Sequence, residues 1–175
     1  KGHVGYYCGG MNQKANICIE GNAGTGVGEN MMSGIIHVKG NTSQSAGATA
    51  HGGTIIIDGN ASSRCGISMK GVDIIVKGSV GHMSAFMAQA GTLMICGDAG
   101  DALGDSIYET VIYLAGKPKS LGVDCIEKKI TKKDLKKIEN LIKTGNVKKL
   151  KPHNFKKFGS ARKLYNFNID NVSEY

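Results

Sequence analysis

The feature that most constrains the fold is a glycine that recurs every 19 residues, without insertion, along about two thirds of the 175-residue chain. We call this residue of each repeat the anchor glycine. The anchor glycines are Gly2, Gly21, Gly40, Gly59, Gly78, Gly97 and Gly116. A fixed period of this length is typical of a solenoid, in which each repeat forms one turn and neighbouring turns stack. We expect these glycines to supply positive φ angles or tight corners, where a Cβ atom would clash.

The glycine-rich stretch GNAGTGVGEN, residues 21–30, could also be interpreted as a phosphate-binding loop. Its spacing is G-x-G-x-G, however, whereas the dinucleotide fingerprint is G-x-G-x-x-G at the start of a helix. The sequence IIHV that soon follows is typical of a strand, and the P-loop pattern occurs nowhere in the chain. The stretch is therefore interpreted as one turn of the repeat.

Each repeat contains one aliphatic strand just before its anchor glycine. One column of the aligned repeats is Ile17, Ile36, Ile55, Ile74, Leu93 and Ile112, and a second is Ile19, Val38, Ile57, Val76, Ile95 and Leu114. The residues between these columns vary, so the alternation has period two and one strand face points inward. A further inward column is expected ten residues after each anchor glycine, ending at Ile126.

These patterns predict an all-β fold, a single-stranded right-handed parallel β-helix of about seven 19-residue coils. At ~4.8 Å per coil the rod would be roughly 30 Å long. We place this β-helix domain at residues 1–122 and a basic C-terminal helix and tail at residues 123–175.

Two outward columns carry further information. The residues just before the anchor glycines run Glu20, Lys39, Asp58 and Lys77, which predicts a ladder of alternating charge. Three residues before the anchor glycines stand His37, Ile56, Ile75, Met94 and Tyr113. A solvated strand face is rarely so apolar, so we expect the tail of the chain or a partner to cover this second column.

The tail is predicted to begin with an amphipathic helix over residues 131–143. Thr131 is a favourable N-cap with Asp134 three residues on, and Gly145 is a natural residue to follow the last turn. An apolar stripe runs along the helix: Leu135, Ile138, Leu141 and Ile142. Four aromatic residues follow and are expected to dock the tail onto another surface: Phe155, Phe158, Tyr165 and Phe167.

Positive charge is concentrated in the tail. Residues 117–175 hold 16 Lys and Arg against 6 acidic residues, whereas residues 1–116 hold 6 against 8. A basic tail favours nucleic-acid binding, but nearly all of this charge is lysine and no nucleic-acid motif accompanies it. A lysine surface that faces solvent or a partner protein is the preferred interpretation.

Cysteine usage indicates the compartment. The five cysteines form no C-x-x-C pair, which favours free thiols in a reducing environment and predicts a cytoplasmic location. No apolar run approaches the ~20 residues of a membrane span, so a membrane partner is not expected. The chain opens inside a repeat at Lys1, and we expect further residues upstream.

No catalytic, cofactor-binding or metal-binding residue is predicted. The five histidines are scattered without metal-ligand spacing, and the G-x-S-x-G pattern is absent. A cluster of His51, His82, Asp101 and Asp105 on one face would be conceivable, but ordinary surface residues are the preferred interpretation.

The repeats GNAGTGVGENMMSGIIHVKGN, GGTIIIDGN and GTLMICGDAGDALGDSIYETVIYLAG resemble the GXGXG domain, the C-terminal domain of the glutamate synthase large subunit. The tail stretch KFGSARKLYNFNIDN further resembles stand-alone forms of that domain. The departures are Ala85 and Val72 in place of glycine. The same repeats occur in the C subunit of formylmethanofuran dehydrogenase, and membership of a complex of that type is the alternative.

This resemblance implies a scaffold role within an amidotransferase-type oxidoreductase complex. Its partners would be a glutamine-amidotransferase-like subunit and an FMN-domain glutamate synthase subunit, which would hold the FMN and the Fe–S cluster. This chain would hold no cofactor. A self-contained β-helix enzyme or sugar-binding module is a further alternative, which should show an aromatic or carboxylate groove along one face.

Overall fold

The computed structural model describes residues 2–162. Within this range the chain forms eight strands, one α-helix and one 3-10 turn. In chain order they are β1 Asn16–Ile19, β2 Ile35–Val38, β3 Thr54–Ile57, β4 Lys70–Val76, β5 Ala90–Ile95, β6 Val111–Leu114, β7 Cys125–Lys128, α1 Lys132–Gly145, the 3-10 turn Pro152–Asn154 and β8 Lys156–Ser160.

Strands β1 to β6 stack in parallel, each one 19 residues after the last. Ile17 pairs with Ile36, which pairs in turn with Ile55, and the same register continues to Ile112 in β6. Both predicted aliphatic columns lie in the core, where all their members are buried except the half-buried Ile17. The fold is therefore a parallel β-solenoid of about five turns, and the predicted β-helix class is confirmed.

The prediction of about seven coils is wrong. Before β1 no further strand forms in the described chain, where Val4 makes an isolated bridge to Ala23, and after β6 the isolated bridges involve Pro118 and Leu121. Beyond β6 the sheet continues with β8 and then β7, both in antiparallel pairing. Because β8 occupies the hydrogen-bonding edge of β6, a seventh parallel strand has no place to form. Ile126, expected to face inward, is exposed in β7. The right-handed sense of the coil and the boundary at residue 122 stay predictions.

A ladder of polar side chains joins neighbouring turns just after the anchor glycines. Each side chain accepts a hydrogen bond from the backbone N–H 19 residues on, as when Asn60 N–H donates to Asn41 Oδ1 at 2.8 Å. This polar ladder consists of His3, Asn22, Asn41, Asn60, Ser79 and Asp98. Each member accepts a hydrogen bond from a backbone N–H at the corner where the strands end. The alignment of neighbouring turns is therefore fixed at this corner as well as within the sheet.

The anchor glycines allow neighbouring turns to approach closely, because a Cβ atom at any of them except Gly2 would clash with the preceding turn. Only Gly2 has a positive φ among them. A Cβ atom on Gly59 would lie 2.9 Å from Gly40 O and would also clash with Asn41 Oδ1. The expected positive φ occurs instead seven residues after the anchors, as at Gly28 with +69°. Ala85 keeps this left-handed conformation with φ 58°, so the corner retains its shape where glycine is missing.

The polar ladder generates a stability prediction. Asn60→Ala removes the acceptor of the Ser79 N–H and should lower the free energy of unfolding by ~1 kcal/mol, the usual contribution of such a hydrogen bond. Asn60→Asp retains Oδ1 and is the matched control, expected to be close to wild type. Urea unfolding measures both. Equal stability of the alanine variant and wild type would show that the ladder does not hold the turns.

Candidate functional site

The predicted outward apolar column lies between the solenoid and the C-terminal segment. Ile56, Ile75, Met94 and Tyr113 are buried at 5% exposure or less, and they form a second core with Ile138, Leu141 and Phe155. The remaining member of the column, His37, is half-buried and lies outside this core. The structure thus places α1 and the segment that follows it over four of the five residues.

Helix α1 begins at the predicted cap, but it ends differently from the expectation. Thr131 and Asp134 form a reciprocal capping box at its start. Its left-handed C-cap is Asn146, with φ 50°, whereas Gly145 is the last helical residue and is buried. A Cβ atom on Gly145 would lie 2.9 Å from Ile75 Cγ2. Glycine is therefore needed here for the close packing of the helix on β4.

Leu135 departs from the predicted apolar stripe. Its side chain is 38% exposed, whereas Ile138 and Leu141 are buried and Ile142 is half-buried. The helix is rotated so that Asp134, rather than Leu135, faces the solenoid. Leu135 is thereby left on the outer side of α1.

Asp134 is a buried carboxylate that joins three elements. It accepts hydrogen bonds from Tyr113 Oη in β6 at 2.8 Å and from the Thr131 backbone N–H at 2.8 Å. Lys157 Nζ in β8 lies 2.8 Å from its Oδ1. Burial by itself would raise the pKa of Asp134, but the bonds from Lys157, Thr131 and Tyr113 outweigh it and hold the pKa well below the ordinary value. Burial and the neighbouring Asp134 raise the pKa of Tyr113.

A second polar cluster lies beside the covered column, around Asp58. His37 Nε2 lies 2.9 Å and Lys77 Nζ 2.7 Å from Asp58 Oδ1, and Lys39 Nζ lies 3.9 Å from Oδ2. The predicted charge ladder is thus present at Lys39, Asp58 and Lys77. Among the described residues, Glu20 forms no ion pair with Lys39 and instead accepts from Cys18 Sγ at 3.5 Å.

Cys18, His37 and Asp58 do not form a nucleophile–base–acid set, although β1 and β2 place Cys18 beside His37. The two nitrogens of His37 face Asp58 and, at 3.3 Å, Lys39 Nζ. Desolvation and Glu20 raise the pKa of the Cys18 thiol, which disfavours the thiolate.

The other candidate groups also serve local contacts. Asp101 pairs with Lys119 at 2.8 Å, and Asp105 accepts from Ser106 Oγ at 2.7 Å. No group of three or more His, Cys, Asp or Glu residues within residues 2–162 could hold a metal ion. Over the same range, no helix is both long and apolar enough to cross a bilayer.

Two of the four tail aromatics can be placed. Phe155 lies in the second core, and Phe158 in β8 lies in the main core, so both dock the tail on the solenoid. Tyr165 and Phe167 lie outside the described residues.

Positive charge is concentrated on the solvent face of α1 and in the loop that follows it. Residues 129–151 contain nine lysines and two acidic residues. A shallow cavity lies between the helix and the 3-10 turn, lined by Lys132, Leu135, Lys136, Glu139, Pro152 and His153.

Sequence reasoning missed the polar ladder and the Asp134 network. The ladder has a visible signal, because a polar residue follows every anchor glycine from Gly2 to Gly97. The Lys157 contact to Asp134 has no such signal, since 23 residues separate the two and only the return of β8 brings them together.

Comparison with known proteins identifies a close relative. The chain is similar to Protein GlxC of Rhizobium meliloti (strain 1021): the two are 58% identical over 174 residues, which cover 99% of this chain and 76% of GlxC. No family model matches the chain.

Because α1 buries the apolar column, charged side chains introduced into the column should weaken the packing of the helix. Ile75→Lys with Met94→Lys should displace α1, because two ammonium groups would otherwise be buried. Hydrogen exchange of the α1 amides should accelerate by more than ~100-fold, since the helix loses its apolar interface, while the β2 and β3 amides stay protected. The control variant introduces two lysines at exposed positions of β1 and β2, Cys18→Lys and Ile35→Lys, and should leave the exchange of α1 unchanged. Unchanged exchange in α1 would contradict the packing.

The Asp134 network predicts acid sensitivity. Because the folded-state pKa lies below the ordinary 3.8, its stabilisation is fully present above about pH 4 and is lost as pH falls through the folded value. Asp134→Asn should lower the free energy of unfolding by ~3 kcal/mol at about pH 7, since Lys157 loses its charged partner. The gap to wild type should narrow towards about pH 2 in urea unfolding. A gap that does not vary with pH would mean that the carboxylate charge is not what stabilises the network.

Proposed function

The chain belongs to the same family as Protein GlxC, and we propose that it is a non-catalytic structural subunit, or domain, of a glutamate synthase-like amidotransferase and oxidoreductase complex. The proposal combines this membership with the glycine repeats, which resemble the C-terminal domain of the glutamate synthase large subunit. In it the solenoid holds a glutamine-amidotransferase-like subunit and an FMN-domain synthase subunit in a fixed relation. FMN and the Fe–S cluster would lie in the partners.

One observation carries the proposal: a series of polar side chains among the described residues holds the turns of the solenoid together and joins α1 to it. The Asn41 and Asn60 side chains join successive turns, and Lys137 Nζ, 2.7 Å from Asp73 Oδ2, joins α1 to β4. A stacked body held in this way keeps its outer faces at fixed distances from one another. That rigidity is what a scaffold between two enzymatic subunits requires.

The five cysteines are free thiols. This supports a reducing compartment, and we place the complex in the cytoplasm.

The formylmethanofuran dehydrogenase alternative predicts the same solenoid with different partners, so partner identity decides between them. A self-contained enzyme or sugar-binding module would need a row of aromatic or carboxylate side chains along one face. The exposed aromatic residues of the described repeats, Tyr6, Tyr7 and Tyr108, lie in the first and sixth repeats and do not form a row along one face, which favours the scaffold.

The proposal is tested with the purified full chain and the two partner subunits. Alone, the chain should show neither glutaminase nor glutamate synthase turnover and no flavin absorbance. Mixed with the partners, it should elute with both in one complex of fixed stoichiometry by size exclusion with light scattering. Bound FMN or turnover by the chain alone would refute a purely structural role, and failure to assemble with either partner would refute the proposed complex.

A further inference from the structure

We infer that the lysine-bearing outer face of α1 is a docking surface for an acidic protein surface, with Leu135 as its apolar anchor. This inference rests on the proposed function, since it assigns the face through which the solenoid holds a partner. We call Lys132, Lys133, Leu135 and Lys136 the α1 face.

The helix separates its two sides sharply. Asp134, Ile138, Leu141 and Gly145 are buried against the solenoid, whereas all four members of the α1 face are exposed. Lys132 lies three residues before Leu135 and is its neighbour on the helix, and Lys136 lines the same cavity on the solvent side. The exposed lysines are not required to hold the helix, which is fixed by its buried side and its capping box.

The charges of the α1 face are uncompensated within the described residues. Lys137 lies 2.7 Å from a carboxylate oxygen of Asp73, Lys143 3.1 Å from Glu139 and Lys157 2.8 Å from Asp134. In the described part of the chain, no ion pair is formed by Lys132, Lys133 or Lys136, nor by the loop lysines Lys148, Lys149 and Lys151. Positive charge of this density attracts an acidic surface and speeds its association.

Leu135 provides the α1 face with an apolar contact for a side chain of the partner. It is 38% exposed and lines the shallow cavity together with Lys132, Lys136, Pro152 and Glu139, whose carboxylate pairs with Lys143 at 3.1 Å. An exposed leucine in a cavity with a charged rim matches the usual build of a protein–protein interface, an apolar centre within a polar border.

Composition favours a protein over a nucleic acid as the partner. Every positive residue between 129 and 151 is lysine, and the same stretch contains no aromatic residue. Nucleic-acid surfaces use arginine for bidentate contacts and aromatic rings for base stacking. Neither is available on this face.

The test uses charge reversal in the full chain. Lys132→Glu, Lys133→Glu and Lys136→Glu reverse the face while placing acids in the first turns of α1, where the helix dipole favours them. The matched control reverses three exposed lysines on other parts of the solenoid, Lys14→Glu, Lys70→Glu and Lys117→Glu, and so makes the same change in net charge. Leu135→Ala is tested separately. Thermal unfolding followed by circular dichroism verifies that each variant is folded.

Binding to each of the two partner subunits is measured by biolayer interferometry at low and physiological salt. Wild type and the solenoid control should bind one partner with the same affinity, and the α1-face reversal should bind it at least ~10-fold more weakly. Raising the salt concentration should weaken the binding of wild type more than the binding of the reversal. Leu135→Ala should weaken binding without altering its salt dependence.

The outcomes separate the two claims. If wild type binds neither partner, the proposed function fails; if wild type and the α1-face reversal bind equally, the docking inference alone fails. A 20-base-pair duplex is the third probe, at about 0.15 M salt. Binding of the duplex by wild type that the α1-face reversal abolishes, with partner binding unaffected, would overturn the inference in favour of a nucleic acid.

Discussion

The rest of the structure depends on the hydrogen-bonded register between turns, in which the residues of the two aliphatic columns in β1 to β5 each meet the residue 19 positions on. The register keeps the two aliphatic columns inside, because a slip of one residue would turn every strand side chain to the opposite face. The polar ladder repeats the same 19-residue step at the corner after each strand. Sheet and ladder therefore select the same alignment, and the anchor glycines let the turns approach closely enough for both to form.

This regular stacking creates an outward apolar face whose exposure to water would be unfavourable. Helix α1 covers that face. Ile75 and Met94 are fully buried although they point away from the main core. The helix reaches them because Gly145 permits close contact, and Asp134 joins its first turn to β6 and β8 through Tyr113 and Lys157. The C-terminal segment thus completes the fold, and its remaining outer side is left free to carry charge.

The sequence predicts the repetitive part well and the junctions poorly, for a physical reason. The columns of Ile36 and Val38 are repeated at every turn, so each repeat independently indicates the same strand and the same inward face. The antiparallel return of β8 onto β6 occurs once and joins residues more than 40 positions apart, as at Ile112 and Phe158. No period records such a contact, and the predicted seventh coil accordingly fails where β8 takes its place.

In the candidate site, too, the repeated features could be predicted from the sequence and the unrepeated ones could not. The apolar character of Ile56, Ile75 and Met94 indicates in advance that something lies over them, because the pattern repeats. The rotation of α1 that exposes Leu135 depends on how the helix seats on β4, which helical periodicity alone does not determine. The functional proposal rests on two observations: the side chains of the polar ladder join neighbouring turns, and the lysines of the α1 face form no ion pair within the described residues.

Methyl nuclear Overhauser spectroscopy of the full chain with labelled isoleucines tests the central claim, that turns stack in a 19-residue register and stop where β8 closes the sheet. The account predicts strong cross-peaks from Ile36 to Ile55 and from Ile55 to Ile74, since neighbouring strands lie about 5 Å apart. Absence of these cross-peaks, or a strong cross-peak from Ile107 to Ile126 that would mark a further stacked turn, would contradict it.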